Sequence, residues 1–248
     1  MDDIVLRAYS GRTGKQIGRL DYSSLSWADS LNDEGSLSSK ISGDVDAPAL
    51  LPPYKTVLCA SSGKRIFHAG YVTHLSFDRS AMTWSLDCGG GITVLDKRLV
   101  LNKGLMSSWS DGYVVVDEEN PSGDWPLKLT GSYSDIVRGL ILETCAWGEL
   151  PFTVSDWQGG GHERNYNSYD LATVADRIRE ISQLADGPEI RFDPVINGSN
   201  LKFVQRTAEE IIDHKWKWNT LLPDCPVSFD DLSEVKGLRR KRPSDSIK

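Results

Sequence analysis

Residues 1 to about 98 repeat one pattern: a short run of alternating apolar and polar side chains, then a cluster of Gly, Ser, Asp or Pro. Alternation with period two puts successive side chains on opposite faces of a strand, which a helix cannot do. Residues 4–9 meet the turn Ser10-Gly11-Arg12-Thr13-Gly14 and return as residues 16–20. Residues 35–41 set Leu37 and Ile41 among polar neighbours, and Pro52-Pro53 breaks the chain before residues 55–60. Ser61-Ser62-Gly63 then turns into residues 66–72, and residues 74–77 and 82–88 close around Asp78-Arg79-Ser80. Short strands joined by regular turns bury their apolar face by closing or stacking, so residues 1–98 are predicted to form an antiparallel β-barrel or sandwich.

After Gly89-Gly90-Gly91 the texture changes. Ser132 and Asp135 stand at capping-box spacing, and Ile136, Val137, Leu140, Ile141 and Cys145 follow as one helical stripe. A second helix is predicted from Ser168 or Asp170, with Leu171, Val174, Ala175, Ile178, Ile181 and Ala185 on its buried face and Gly187-Pro188 ending it. Two strands follow, residues 189–193 and 201–205, around Asn197-Gly198, a turn signal whose connection reads as too long for a two-residue hairpin. The expected class is α+β: a barrel over 1–98, a small α+β domain with two amphipathic helices over 99–206, and a partly extended segment over 207–248 with a basic polar tail.

Composition removes whole classes. In 248 residues, 28 Lys and Arg stand against 35 Asp and Glu, a net charge of -7. An acidic chain is a poor partner for nucleic acid or anionic membrane as a whole. No apolar run nears the roughly 18 residues of a membrane span, and Met1-Asp2-Asp3-Ile4 lacks the profile of a secretory signal. Cys59, Cys88, Cys145 and Cys225 are isolated, which reads as free thiols from a reducing cytoplasm.

The residues offer little chemistry. His68, His74, His162 and His214 are scattered, and His68 and His74 read as strand surface rather than ligands. No G-x-S-x-G elbow or phosphate loop is present, and the glycine runs at 89–91 and 159–161 lack the Lys-Ser/Thr that a phosphate cradle needs. Asp117, Glu118 and Glu119 could form a hydrolytic pair only if held about 5 to 10 Å apart, and adjacent acids before Pro121 read as a solvated turn. Arg239-Arg240-Lys241-Arg242 reads as a polar tail. Trp216 and Trp218, two apart, fit one side of a strand and suit packing or an interface. No catalytic residue, cofactor or metal is expected.

Two stretches resemble a known family. Trp27-Ala28-Asp29-Ser30-Leu31-Asn32-Asp33-Glu34-Gly35-Ser36 resembles the W-x-x-x-L-N-D-x-G-S segment of phage tail hub proteins, with Gly70-Tyr71-Val72 and Leu95-Asp96-Lys97-Arg98 following in the family's order. Arg164-Asn165-Tyr166-Asn167-Ser168-Tyr169-Asp170-Leu171-Ala172-Thr173-Val174, then Gly187-Pro188-Glu189-Ile190-Arg191-Phe192, is similar to minor tail proteins of actinobacterial phages. The resemblance implies a structural virion protein at a tail tip or baseplate hub, made in the host cytoplasm. It implies a trimer in contact with the distal tail or tail tube protein, the tape measure protein, and further minor tail proteins or receptor-binding fibres. Neither membrane nor specific nucleic acid is implied. Trp27, Asn32, Asp33, Trp216 and Trp218 are the expected assembly surface. Such hubs commonly carry a second barrel, for which residues 207–248 are too few. A hub of a phage-derived injection machine and a carbohydrate- or cell-wall-binding module using the tryptophans are the competing readings.

Overall fold

In the computed structural model, which describes residues 4–30, 32–110, 113–114, 125–184 and 186–207, the alternating runs become strands. They are β1 (Val5–Ser10), β2 (Gln16–Leu20), β3 (Tyr22–Ala28), β4 (Ser36–Ser42), β5 (Thr56–Ser62), β6 (Arg65–Asp78) and β7 (Thr83–Gly89), with one helical turn, α1 (Ala47–Leu50), before β5. They form a single antiparallel sheet in the order β2-β1-β5-β6-β7-β4-β3. β6 runs through a bulge between Val72 and His74, where the pattern predicts two strands. β3 has no counterpart in the pattern.

Leu6, Leu20, Leu37, Ile41, Leu58, Val72 and Leu86 turn to one side and make one buried cluster. The sheet curls around it, because β2 and β3 lie at opposite ends of the strand order yet are linked by Asp21 alone. Consecutive Cα atoms sit about 3.8 Å apart, so the two ends meet at that corner. There the Tyr22 hydroxyl donates to the Ile4 carbonyl at 2.9 Å. No β2–β3 ladder forms among the described residues, so the predicted closed barrel is corrected to a curled, open sheet. The physical reason is the link itself: a tight hairpin needs about two turn residues, so strands joined by one run on from each other instead of pairing.

The second region begins with a 3-10 segment, Gly91–Lys97, and another at Lys103–Ser108. After it come β8 (Trp109–Ser110), β9 (Tyr113–Val114), β10 (Pro126–Gly131), α2 (Tyr133–Trp147), β11 (Phe152–Thr153), β12 (His162–Asn167), α3 (Val174–Ser182), β13 (Ile190–Asn197) and β14 (Asn200–Thr207). β8 pairs with β9, β10 with β12, and β14 lies between β11 and β13. α2 starts as expected: Ser132 accepts from the Asp135 N–H at 3.1 Å while Asp135 accepts from the Ser132 N–H at 3.2 Å. Ile136, Val137, Leu140 and Ile141 are buried.

α3 departs from its expectation. It starts at Val174 under a Thr173 cap, whose hydroxyl accepts from the Asp176 N–H at 3.1 Å. Residues 168–170 form a 3-10 turn ended by Leu171 in the left-handed region at φ 50, and Thr173 bridges to Leu99. Leu171 is therefore 62% exposed rather than buried with Val174, Ile178 and Ile181, and Asp170 caps nothing in α3. The β13–β14 connection is also tighter than predicted: Asn197 pairs with Asn200 around a two-residue turn, with Gly198 at φ 61 as a type II′ turn requires.

One strand explains how the regions join. β5 reads Thr-Val-Leu-Cys-Ala-Ser-Ser, and residues on both of its faces are buried. Leu58 and Ala60 face the cluster inside the curl, while Val57 and Cys59 face a second one containing Tyr71, Ile92, Val137, Ile178 and Phe203. A strand covered on both faces is apolar throughout rather than alternating. The second cluster crosses residue 98, and residues 1–208 form one compact unit. Burial pushes the Cys59 thiol up to about 12, so it packs as a small apolar group.

Candidate functional site

The segment between β3 and β4 makes few bonds within itself and many to the second region. Asn32 sits at φ 61 and Gly35 at φ 60. Asn tolerates the left-handed region better than other side chains do, and Gly tolerates it freely. A Cβ on Gly35 would also lie 2.8 Å from the Ala28 carbonyl oxygen and 3.0 Å from the His68 ring. Asp33 Oδ1 accepts from the Glu34 N–H at 2.8 Å and holds the turn.

That conformation aims two residues across the junction. Asn32 Oδ1 accepts from the Ile190 N–H at 2.6 Å, and the Asn32 N–H donates to the Ile190 carbonyl at 3.1 Å. Asn32 thus acts as a one-residue strand partner where β13 begins. The Glu34 carbonyl accepts from the Gly90 N–H at 2.6 Å, and its carboxylate accepts from the Thr93 hydroxyl at 2.9 Å. A Cβ on Gly90 would stand 2.1 Å from the Glu34 carbonyl oxygen, so this glycine is needed for close approach and not for phosphate.

Two ion networks flank the segment. On one side Arg179 of α3 forks onto Asp96 at 2.6 and 3.1 Å, with Glu34 at 3.8 Å and Asp176 at 3.5 Å. The Asp96 hydrogen bond holds the Arg179 guanidinium above its ordinary pKa. On the other side Asp29 meets His68 Nδ1 at 2.7 Å and Arg191 at 3.6 Å. Arg191 and Arg206 then share Asp193, the latter at 2.9 Å. The His68 hydrogen bond, against some burial, holds the Asp29 carboxyl below the usual range. His68 is buried, not strand surface as the sequence suggests.

Charges on both sides of the segment are paired with charges from the other region, so the arrangement is a clamp. Its chemistry is positional: it fixes the curled sheet against α3 and β13. Among the described residues, no group of three or more His, Cys, Asp or Glu side chains is placed to hold a metal ion, and no helix is long and apolar enough to cross a membrane.

The structure turns Asn32 toward the chain's own second region, while Asp33 beside it is exposed and accepts from the Glu34 N–H. Trp27 lies beside it at the end of β3, with its ring centroid 5.1 Å from that of Phe67 and 36% of its surface exposed. Trp216 and Trp218 lie outside the described residues, as do Asp117, Glu118, Glu119 and the basic run at 239–242. Sequence reasoning missed His68, Asp96, Arg179 and Arg191 as members of the site. Arg191 was within reach, since it belongs to the Gly187–Phe192 motif.

No protein-family model matches this chain, and no curated protein matches it. Among solved structures it is similar to the 43 kDa tail protein of prophage MuSo2 from Shewanella oneidensis, at 16% identity and a TM-score of 0.42. The similarity covers 83% of this chain and 54% of that one. The chain thus spans about half the length of that protein.

Proposed function

We propose that this chain is a structural protein of a phage tail, placed in the tail-tip or baseplate hub that closes the tail tube and connects it to the host-recognition apparatus. One observation carries the reading. The two stretches that resemble tail proteins are bonded to each other: Asn32 of the first meets Ile190 of the second at 2.6 and 3.1 Å. Chance matches in separate regions have no reason to touch. Here they complete one clamp, with Asp29 and Arg191 as a second contact between the same motifs at 3.6 Å.

In this reading the chain does no catalysis and needs no cofactor. Three copies form a closed ring around the tail axis, which requires two different contact surfaces on each copy. The neighbours are the distal tail or tail tube protein, the tape measure protein, and further minor tail proteins or fibres. A reconstruction of the assembled particle, with the chain located by a bound antibody fragment, tests this. The expected result is three copies in one ring at the tip. Absence from purified particles overturns the tail role, and six equivalent copies or a single asymmetric copy overturns the trimeric hub.

A further inference from the structure

β12 is half of a two-stranded ribbon, and its second edge meets no strand among the described residues. The Ser168 N–H donates to the Trp125 carbonyl at 2.9 Å, continuing the register that pairs Tyr166 with Leu127 and Arg164 with Leu129. Bonded and non-bonded pairs alternate along an antiparallel ladder. Arg164 and Tyr166 therefore bond toward β10. The N–H and C=O groups of Glu163 and Asn165, with the N–H of Asn167, point out of the ribbon. Pro126, with no N–H to give, sits opposite Asn167, as that parity requires. These outward groups have no backbone partner among the described residues.

The edge does not face open solvent. Across a groove of about 470 Å³ stand Arg177 and Glu180 of α3 and the half-buried Leu184 just after it, with the core residue Ile181 behind them and Arg164, Asn165 and Tyr166 on the strand side. Arg177 is neutralised by Glu180 at 2.8 and 2.9 Å. Arg164 lies over the Tyr133 ring, 5.7 Å from its centroid, and has no ion pair among the described residues. The groove thus combines an unpaired strand edge, the half-buried Leu184 and, in Arg164, one cation without an acid partner among the described residues.

We infer that this groove takes an extended peptide segment of another protein as the third strand of the β10–β12 ribbon, with a carboxylate side chain against Arg164 and an aliphatic side chain against Leu184. Main-chain bonds to a free edge supply affinity in this mode, and side-chain pockets supply selectivity. At about 3.4 Å per residue, the outward groups from Glu163 to Asn167 cover roughly 14 Å, enough for a segment of about five residues. The inference rests on the edge and the groove, and it holds or fails independently of a place in a tail.

The probe is an array of synthetic heptapeptides alternating Asp or Glu with Leu, Val or Ile, bound to the full-length chain and followed by fluorescence anisotropy. Acidic-aliphatic peptides should bind, and N-methylating alternate amides of a binder should weaken it at least about tenfold, because each lost main-chain bond removes affinity. Arg164→Glu should weaken acidic binders about tenfold and favour Lys-containing ones. Asn165→Pro, which removes an outward N–H, should weaken both. The N-methyl comparison uses the unaltered chain, so it decides even if a variant misfolds. The inference is overturned if no peptide binds, if N-methylation changes nothing, if Arg164→Glu leaves acidic binders untouched, or if the groove is filled by a second copy, seen as a dimer that Asn165→Pro dissociates.

Discussion

Replacing Asn32 tests the clamp at its narrowest point, because that side chain does two separable things. It offers Oδ1 to the Ile190 N–H at 2.6 Å, and it occupies φ 61. Ile190 is 2% exposed, so losing the acceptor leaves a buried donor unpaired at a cost of about 1–3 kcal/mol. Ala in the left-handed region adds about 1 kcal/mol more. Asn32→Ala should therefore cost ~2–4 kcal/mol, and Asn32→Gly about 1 kcal/mol less because glycine relieves the backbone. Asn32→Asp keeps an acceptor and tolerates the same φ, so it should stay within about 1 kcal/mol of the parent. For a unit of this size 1 kcal/mol moves Tm by about 2–4 °C, so Ala should melt roughly 10 °C early. Calorimetry and urea unfolding of the four proteins give the order directly. If Ala melts with the parent, or Asp falls with Ala, the Asn32–Ile190 bond does not hold the regions together.

Asp135→Ala should cost about 2–3 kcal/mol, since it removes the carboxylate that the fully buried Arg138 meets at 2.7 Å and with it the α2 capping box; urea unfolding measures it, and a loss under about 1 kcal/mol would contradict the reasoning. Gln205→Met should raise the urea midpoint by an amount worth roughly 1 kcal/mol, because both amide atoms are buried with no hydrogen-bond partner among the described residues; a lower midpoint would show that the amide is bonded in solution. The Asp29 carboxyl is depressed, so its stabilisation is present above its unfolded pKa of about 3.9 and is lost as pH falls through the lower folded value. Asp29→Asn should flatten that part of the acid limb in a pH series of melts, and an unchanged limb would place the His68 contact outside the native state.

The legible parts of this fold are those whose physics is local. Capping-box spacing before an apolar stripe found α2, and alternation found β1, β2, β4, β5 and β7 to within a few residues. β3 escaped because Tyr22-Ser23-Ser24-Leu25-Ser26-Trp27-Ala28 is rich in serine and mostly exposed, so it shows almost no buried face to read. The start of α3 was misplaced for the opposite reason. Asp170 and Leu171 look like a cap and a first core residue, yet the bridge of Thr173 to Leu99 keeps the chain extended until Val174, which only tertiary pairing could reveal. The clamp was half legible. Asn32 and Gly35 lie in a stretch that resembles tail hub proteins, but their partners lie far along the chain, Ile190 being 158 residues from Asn32, and spacing cannot reach that far.

The clamp and the groove are linked through α3. Arg177 and Arg179 stand two positions apart on this helix, so they leave it on different sides. Arg179 is drawn to Asp96 and Glu34 beside the curled sheet, while Arg177 lines the groove beneath β12. A helix of 9 residues has little stability of its own, so its position is set by what it packs on and by the pairs at its ends. Val174, Ala175, Ile178 and Ile181 supply the packing, and the Arg179 fork fixes the rotation. The wall of the groove is thereby held from behind, by core packing and by the Arg179 pair. For a peptide-binding groove that is the useful arrangement: contacts inside the chain fix the geometry of the surface, and a bound segment meets a site already in place, without the ordering cost that a loose helix would add to binding.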